Sequence, residues 1–205
     1  MTSKFHEVQS ESTGKRTVVV TGATGAIGKA IARQLAAQND HAVILLARNE
    51  QKARQAVEEI RRATGNEHVY YELADVSRQS SIQALVKRWP GRLDVLINNA
   101  GATPRRRQET PEGIELQFAT NVLGYFWLTE EFSEQLKRSA PARVINVASY
   151  WAGDLDISDL EFKRRRYSNG KAYRQSKQAD RMLTAAFANR FEPAAVTVNA
   201  CHPGD

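Results

Sequence analysis

The sequence predicts an α/β fold: a doubly wound parallel sheet of Rossmann type with helices on both faces. Three observations lead there. Short apolar runs alternate with helix-period stretches from residue 17 onward, the first run is rich in β-branched valine, and that run feeds directly into a glycine-rich turn followed by a helix. Parallel neighbours need crossover connections, so the intervening helices come to cover both faces. With 205 residues, 41% of them hydrophobic and 25% charged, the chain has the material for one domain core. That domain is expected to span 17–205, with residues 1–16 as a polar, aperiodic and poorly ordered tail.

Thr17 to Thr21 reads as the first strand and Ile27 to Gln38 as the helix after it. Ala42 to Ala47 is the second strand, and Gln51 to Ala63 is a helix closed by Gly65, since glycine takes the left-handed conformation at little cost. His68 to Glu72 is the third strand, Ser77 caps a helix running to Arg88, and Asp94 to Asn98 is the fourth strand. Thr110 with Pro111 opens a long helix ending near Arg138, and Arg143 to Ala148 is the fifth strand. Ala172 to Phe191 forms a helix that Pro193 stops, and Val196 to Ala200 is a sixth strand leading into His202-Pro203-Gly204. Ligands of such sheets bind at the carboxyl ends of the strands, so residues that follow strands are the candidates for function.

The turn Thr21-Gly22-Ala23-Thr24-Gly25-Ala26-Ile27-Gly28 is the first of these. Its glycines let backbone approach a ligand, the small Ala23, Thr24 and Ala26 leave N–H groups free, and the following helix presents its positive end, which together suit a pyrophosphate. After the second strand an acidic residue would bind an adenine ribose 2′-hydroxyl. The junction here is Leu46-Ala47-Arg48-Asn49, and Arg48, joined by Lys29 or Arg33 of the first helix, suits a 2′-phosphate instead. The expected cofactor is NADP(H) in preference to NAD(H). Tyr173 and Lys177 stand four apart on one face of a predicted helix. A free phenol ionises near about 10, and an adjacent ammonium lowers that value, making the tyrosine usable for proton transfer at neutral pH. Alone, the Tyr-x-x-x-Lys spacing is common on amphipathic helices and assigns nothing.

These motifs occur in a fixed order with others: Asp75-Val76 after the third strand, Asn98-Asn99-Ala100-Gly101 after the fourth, Asn121 in the long helix, Ser149 after the fifth, and Pro203-Gly204 near the end. In that combination the sequence resembles the short-chain dehydrogenase/reductase family. The resemblance implies an enzyme, an oxidoreductase that transfers a hydride between NADP(H) and a small-molecule carbonyl or alcohol. It implies that Tyr173 exchanges the proton of the substrate oxygen and that Ser149 orients that oxygen. Lys177 would bind the nicotinamide ribose hydroxyls and lower the tyrosine pKa, while Asn121 would hold a water leading to bulk solvent. Asp75 and Val76 would flank the adenine, and Asn99, Ala100 and Gly101 would line the cofactor cleft. Gly22, Thr24, Gly25, Ala26, Ile27, Gly28, Arg48, Pro203 and Gly204 complete the implied cofactor site.

The compact branch of the family has glycine where this chain has Ala26, and Gly22, Gly25 and Gly28 also fit the epimerase and dehydratase branch; Asn98 to Gly101 and Pro203-Gly204 favour the compact one. Ser149 and Tyr173 lie 24 positions apart, against roughly a dozen in the family, so an insertion is expected between them. Its length, Asn146-Val147-Ala148-Ser149 and the arginine after the second strand resemble the retinol dehydrogenase-like group, from which retinoid specificity does not follow. The family generally continues beyond Pro-Gly, to about 250 residues, so its C-terminal part is expected to be missing here.

The formal net charge is +6, and two compact basic runs, Arg105 to Arg107 and Lys163 to Arg166, both fall on the carboxyl side of the sheet. They are expected to form a positive rim that attracts an anionic substrate, NADP or an acidic partner. Catalysis is the leading reading, a cofactor-binding regulatory or scaffold role the second, and nucleic-acid binding, supported only by basicity, the third. A single cysteine, Cys201, beside His202 supplies neither a disulfide nor a zinc ligand set, so no metal is expected. No stretch approaches the about 18 to 20 apolar residues of a membrane span, and a cytoplasmic location is expected. A homodimer through the Asn121 and Tyr173 helices is one implied assembly; some resembling proteins are monomers.

Overall fold

Val18, Val19 and Val20 are all fully buried, yet Val18 and Val20 join one apolar cluster and Val19 another. Alternating side chains that are all buried mark a strand covered on both faces. The computed structural model, which describes residues 4–7, 14–191 and 195–204, places this strand near the middle of one parallel sheet. Its strands are β1 (Arg16–Thr21), β2 (His41–Ala47), β3 (Val69–Leu73), β4 (Val95–Asn98), β5 (Ala142–Val147) and β6 (Val196–Cys201), in the order β3-β2-β1-β4-β5-β6. This is the doubly wound order, with its switch point between β1 and β4.

Helices α1 (Ala26–Ala37) and α2 (Glu50–Thr64) pack Ala32, Ala36, Ala53, Val57 and Ile60 against Val18 and Val20. The other face is covered by α3 (Gln79–Lys87), then α4 (Leu116–Phe118), a π-helical segment (Ala119–Leu123), α5 (Gly124–Glu131), α6 (Ser133–Arg138) and α7 (Asn169–Arg190). Ile82, Leu85, Leu128, Leu136 and Phe187 come from these helices into the cluster of Val19. At the β6 edge one face stays open: Arg143, Thr197 and Asn199 are exposed.

Gly65 closes α2 as expected, with φ of 71° and its N–H on the Arg61 carbonyl at 2.8 Å. Three helix starts differ. Ser77 does not cap α3: its hydroxyl donates to Asp75 Oδ1 at 2.7 Å, and Arg78 takes the cap position without a side-chain bond. The long helix does not begin at Thr110-Pro111, because residues 110–113 close a turn, with Gly113 N–H on the Thr110 carbonyl at 2.9 Å. Glu115 caps α4 instead, its carboxylate accepting from the N–H groups of Gln117 (2.9 Å) and Phe118 (2.6 Å). Nor is that helix continuous to Arg138, since the π segment and a break at Phe132 interrupt it. Helix α7 starts three residues before Ala172, behind Ser168. Pro193, expected to stop it, lies outside the described residues.

Of the expected tail, Lys4 pairs with Tyr71 of β3 in an isolated bridge, and the Phe5 ring lies 5.0 Å from Trp89 and 5.8 Å from Tyr70. The His6 N–H donates to Glu72 Oε1 at 2.9 Å.

Candidate active site

The turn after β1 is built on two contacts that exclude a side chain. Gly22 has φ of 64°, and a Cβ there would stand 2.9 Å from Ala100 Cα; at Gly28 it would stand 2.5 Å from the Gly22 carbonyl oxygen. Gly25 is less confined, its nearest neighbour being 3.4 Å away, and its N–H closes the turn onto the Gly22 carbonyl at 3.0 Å. Ala26 begins α1, so the N–H groups of its first turn have no intrahelical acceptor. Thr21 locks this turn to the neighbouring strand end: its hydroxyl accepts from the N–H groups of Asn99 and Ala100, both at 2.8 Å, and Asn99 Nδ2 donates to the Thr21 carbonyl at 2.9 Å. Thr21 was not singled out by sequence; a hydroxyl at the end of a central strand is the signal that was there to find.

A cleft of about 470 Å³ opens above these strand ends. Gly22, Thr24, Gly25, Ala26, Ile27 and Gly28 line it from the turn, Arg48 from the end of β2, and Asp75 and Val76 from the end of β3. Asn99, Ala100 and Gly101 follow β4, Tyr173 and Lys177 face it from α7, and Pro203 closes it after β6. Gly204, Ser149 and Asn121 are not among its walls. Asp75 is held by Ser77, whose N–H (3.0 Å) and hydroxyl (2.7 Å) both reach its Oδ1. Arg48 is exposed and has no ion pair among the described residues. Lys29, expected beside it, is instead paired with Glu59 at 2.8 Å, and neither it nor Arg33 lines the cleft. Two glycines where a Cβ would clash and free helix N–H groups fit the pyrophosphate of a dinucleotide.

Lys177 is buried, and its Nζ donates to the Val147 carbonyl at 2.8 Å, Asp180 Oδ2 at 2.9 Å and the Tyr125 hydroxyl at 3.4 Å. Burial works against its charge, but Tyr125 and Asp180 outweigh it and hold the ammonium above the ordinary lysine range. Burial pushes Asp180 up to about 7 although Lys177 pulls the other way. The Tyr125 phenol is likewise pushed up by burial.

The backbone of Tyr173 is held from two sides. Asn121, within the π segment, donates from Nδ2 to Ser176 Oγ at 3.1 Å, and Ser176 Oγ donates to the Tyr173 carbonyl at 2.8 Å. Asn121 Oδ1 also accepts from the Ala102 N–H at 2.8 Å. Gln117, with its amide turned to satisfy both ends, donates to the Ala102 carbonyl and accepts from the Tyr173 N–H, each at 2.8 Å. Both side chains thus tie the loop after β4 to α7. Gln117 was missed by sequence, where it reads as an ordinary polar helix residue.

Ser149 stands apart from this group. Its Oγ accepts from the Trp151 N–H at 3.1 Å, and it opens onto a neighbouring hollow of about 500 Å³ with Tyr150, Arg181, Cys201 and His202. That hollow and the cleft share Ala148.

The insertion is tied down by Asp159, whose carboxylate accepts from the N–H groups of Lys163 (2.7 Å), Arg164 (3.2 Å) and Arg165 (3.1 Å). The first basic run meets the insertion here, with Arg107 Nε donating to the Glu161 carbonyl at 3.0 Å. Arg107 pairs with Glu109, Lys163 with Glu161, and Arg165 with Asp156 and Asp159, while Arg164 donates to the Ser158 carbonyl. Arg105, Arg106 and Arg166 are exposed and without an ion pair among the described residues, and no member of either run lines the cleft.

Comparison with known proteins agrees with this geometry. The family model for short chain dehydrogenase matches residues 16–205. Retinol dehydrogenase 13 of Homo sapiens is 40% identical over 194 residues, covering 92% of this chain and 58% of that protein. A crystal structure of a protein from Mycobacterium paratuberculosis superposes with a TM-score of 0.82 at 32% identity, covering 98% of this chain and 73% of that one. A metagenomic short-chain oxidoreductase crystallised in complex with NADP gives a TM-score of 0.75 at 28% identity, covering 93% and 82%. The chain spans about three fifths of the length of the retinol dehydrogenases that it matches, 58% to 61%. No helix among the described residues is long and apolar enough to cross a membrane, and no group of histidine, cysteine and carboxylate side chains among them could hold a metal.

Proposed function

The chain belongs to the short-chain dehydrogenase/reductase family, and on that premise we propose that it interconverts a carbonyl and an alcohol with NADP(H), Tyr173 being the proton-transferring group. The observation that carries this reading is that Tyr173 and Lys177 form a wall of the same cleft that the glycine turn opens. A bound nicotinamide would supply or accept the hydride. In reduction the Tyr173 hydroxyl gives its proton to the substrate oxygen, and in oxidation the phenolate takes it. The Lys177 charge favours that phenolate. Asn121, Ser176 and Gln117 fix the backbone from which the phenol projects. Ser149 would orient the substrate oxygen from the hollow that adjoins the cleft at Ala148, and Gly204 would complete the cofactor site beside Pro203.

Consumption of NADPH against aldehydes, ketones, quinones and retinal tests the reaction. Retinal is included because the human relative is named a retinol dehydrogenase. Tyr173→Phe is expected to lower turnover by at least about 100-fold; full turnover in that variant would overturn the assignment. The unpaired Arg48 supports NADP over NAD, and Arg48→Ala is expected to weaken NADPH binding by about 10-fold or more while leaving NADH nearly unchanged. Equal losses for the two would remove the preference. A regulatory or scaffold role is the second reading, favoured by the position of Ser149 outside the cleft; tight NADPH binding without turnover on any of these compounds would support it. An anionic substrate, a homodimer through the helices of Asn121 and Tyr173, and a cytoplasmic location belong to the same proposal. Mass in solution and cell fractionation check the last two.

A further inference from the structure

The lysine of the cleft has a buried counter-charge whose place in the chemistry is open. Asp180 is fully buried, one turn along α7 from Lys177, and the two side chains are 6% and 0% exposed. Asp180 Oδ2 accepts from Lys177 Nζ at 2.9 Å, while its Oδ1 is buried without any hydrogen-bond partner. A carboxylate desolvated and only half satisfied is a costly way to fill the interior, so a role beyond packing is called for. An ammonium has three N–H donors. Those of Lys177 are met by Asp180, the Val147 carbonyl and the Tyr125 hydroxyl.

We propose that Asp180 is a positioning residue that sets how much positive charge Lys177 presents to Tyr173, by holding the ammonium in an ion pair beneath the cleft wall. Removing the negative charge leaves the lysine uncompensated and makes the Tyr173 phenolate easier to form; keeping it makes the phenolate harder to form. The titratable group in contact with the pair is Tyr125 on α5, and Tyr173, on the pair's own helix, acts electrostatically on Tyr125. The π segment contributes Asn121, and β5 and β6 carry as titratable side chains only Arg143 and Cys201, both exposed. Burial raises the Asp180 carboxyl although Lys177 pulls the other way.

The inference rests on the proposed role of Tyr173, but its test does not require turnover. In the cofactor-free protein labelled with 13Cζ tyrosine, the Tyr173 resonance is identified by its loss in Tyr173→Phe and followed against pH. In Asp180→Asn, which keeps the shape and removes the charge, its ionisation midpoint is expected to fall by about half a pH unit or more. An unchanged or higher midpoint would overturn the proposal, because a purely structural ion pair would leave the phenol where it was. Should Asp180→Asn fail to fold, Asp180→Ser, which also removes the charge, carries the test. Its Tyr173 midpoint is then expected to fall in the same direction, and an unmoved midpoint would sink the idea. If the midpoint shifts while Tyr173→Phe keeps full turnover, the charge coupling stands and the proposed function fails; if Tyr173→Phe is inactive and the midpoint is unmoved, the reverse holds.

Discussion

Gly28 shows how a single residue sets the geometry of the cofactor turn. Alanine is the better helix former by about 1 kcal/mol, and on propensity alone Gly28→Ala would stabilise α1. The added methyl would meet the Gly22 carbonyl oxygen at 2.5 Å and Asn99 Nδ2 at 2.6 Å, both held by hydrogen bonds to their neighbours. Overpacking of this kind costs about 1 to 3 kcal/mol, so the clash wins. Gly28→Ala is expected to lower thermal stability and to weaken NADPH binding, read by melting temperature and by fluorescence titration. Gly25→Ala, whose new methyl finds its nearest neighbour at 3.4 Å, is expected to cost far less stability. Similar melting temperatures for the two variants would show that backbone approach at Gly28 is not the constraint.

At the scale of elements, the legible parts were those governed by local pattern. Strands β1 and β2 are covered on both faces for most of their length, so they appear as continuous aliphatic runs, and their observed ends fall within a residue of the expected ones. The stop of α2 at Gly65 is likewise local. The start of α4 was not legible, because Thr110-Pro111 is as good a start signal as Glu115 until the bridge between Glu109 and Glu115 ties the turn shut. The π segment has no sequence signal of its own; it occurs where Asn121 reaches both the Ala102 backbone and Ser176. The site divides in the same way. Gly22, Arg48, Tyr173 and Lys177 could be found from spacing and strand ends. Thr21 and Gln117 meet partners more than 50 residues away along the chain, so their roles arise only in the fold. Asp180 reads as a surface helical acid until burial places it under Lys177.

For the whole molecule, the net charge of +6 does not say which cations act on an anion approaching the cleft. Of seven cations in the two basic runs, Arg107, Lys163 and Arg165 are paired with carboxylates; of the four without an ion pair among the described residues, Arg164 donates to the Ser158 carbonyl and keeps its charge, while Arg105, Arg106 and Arg166 are exposed sources of potential. None of the three lines the cleft, so they act on an approaching anion through the field and not by contact. Charges acting that way change association more than dissociation. Replacing Arg105, Arg106 and Arg166 together by glutamine is therefore expected to slow NADPH association at low salt and to leave its dissociation nearly unchanged. Raising ionic strength from about 0.1 to 1 M shortens the screening length from about 10 to 3 Å, and the variant and the parent should converge over that range. Stopped-flow fluorescence at both salt concentrations checks this, and association rates that match at low salt would show that the rim does no steering. Replacing Arg107, Lys163 and Arg165 is expected to act instead on the insertion, because Arg165 also holds Gln175 of α7 at 2.7 Å and stacks over Phe162. Loss of that anchor would appear as faster proteolysis between Ser149 and Tyr173 with the salt dependence of association preserved, which separates the cations that steer from those that hold the loop.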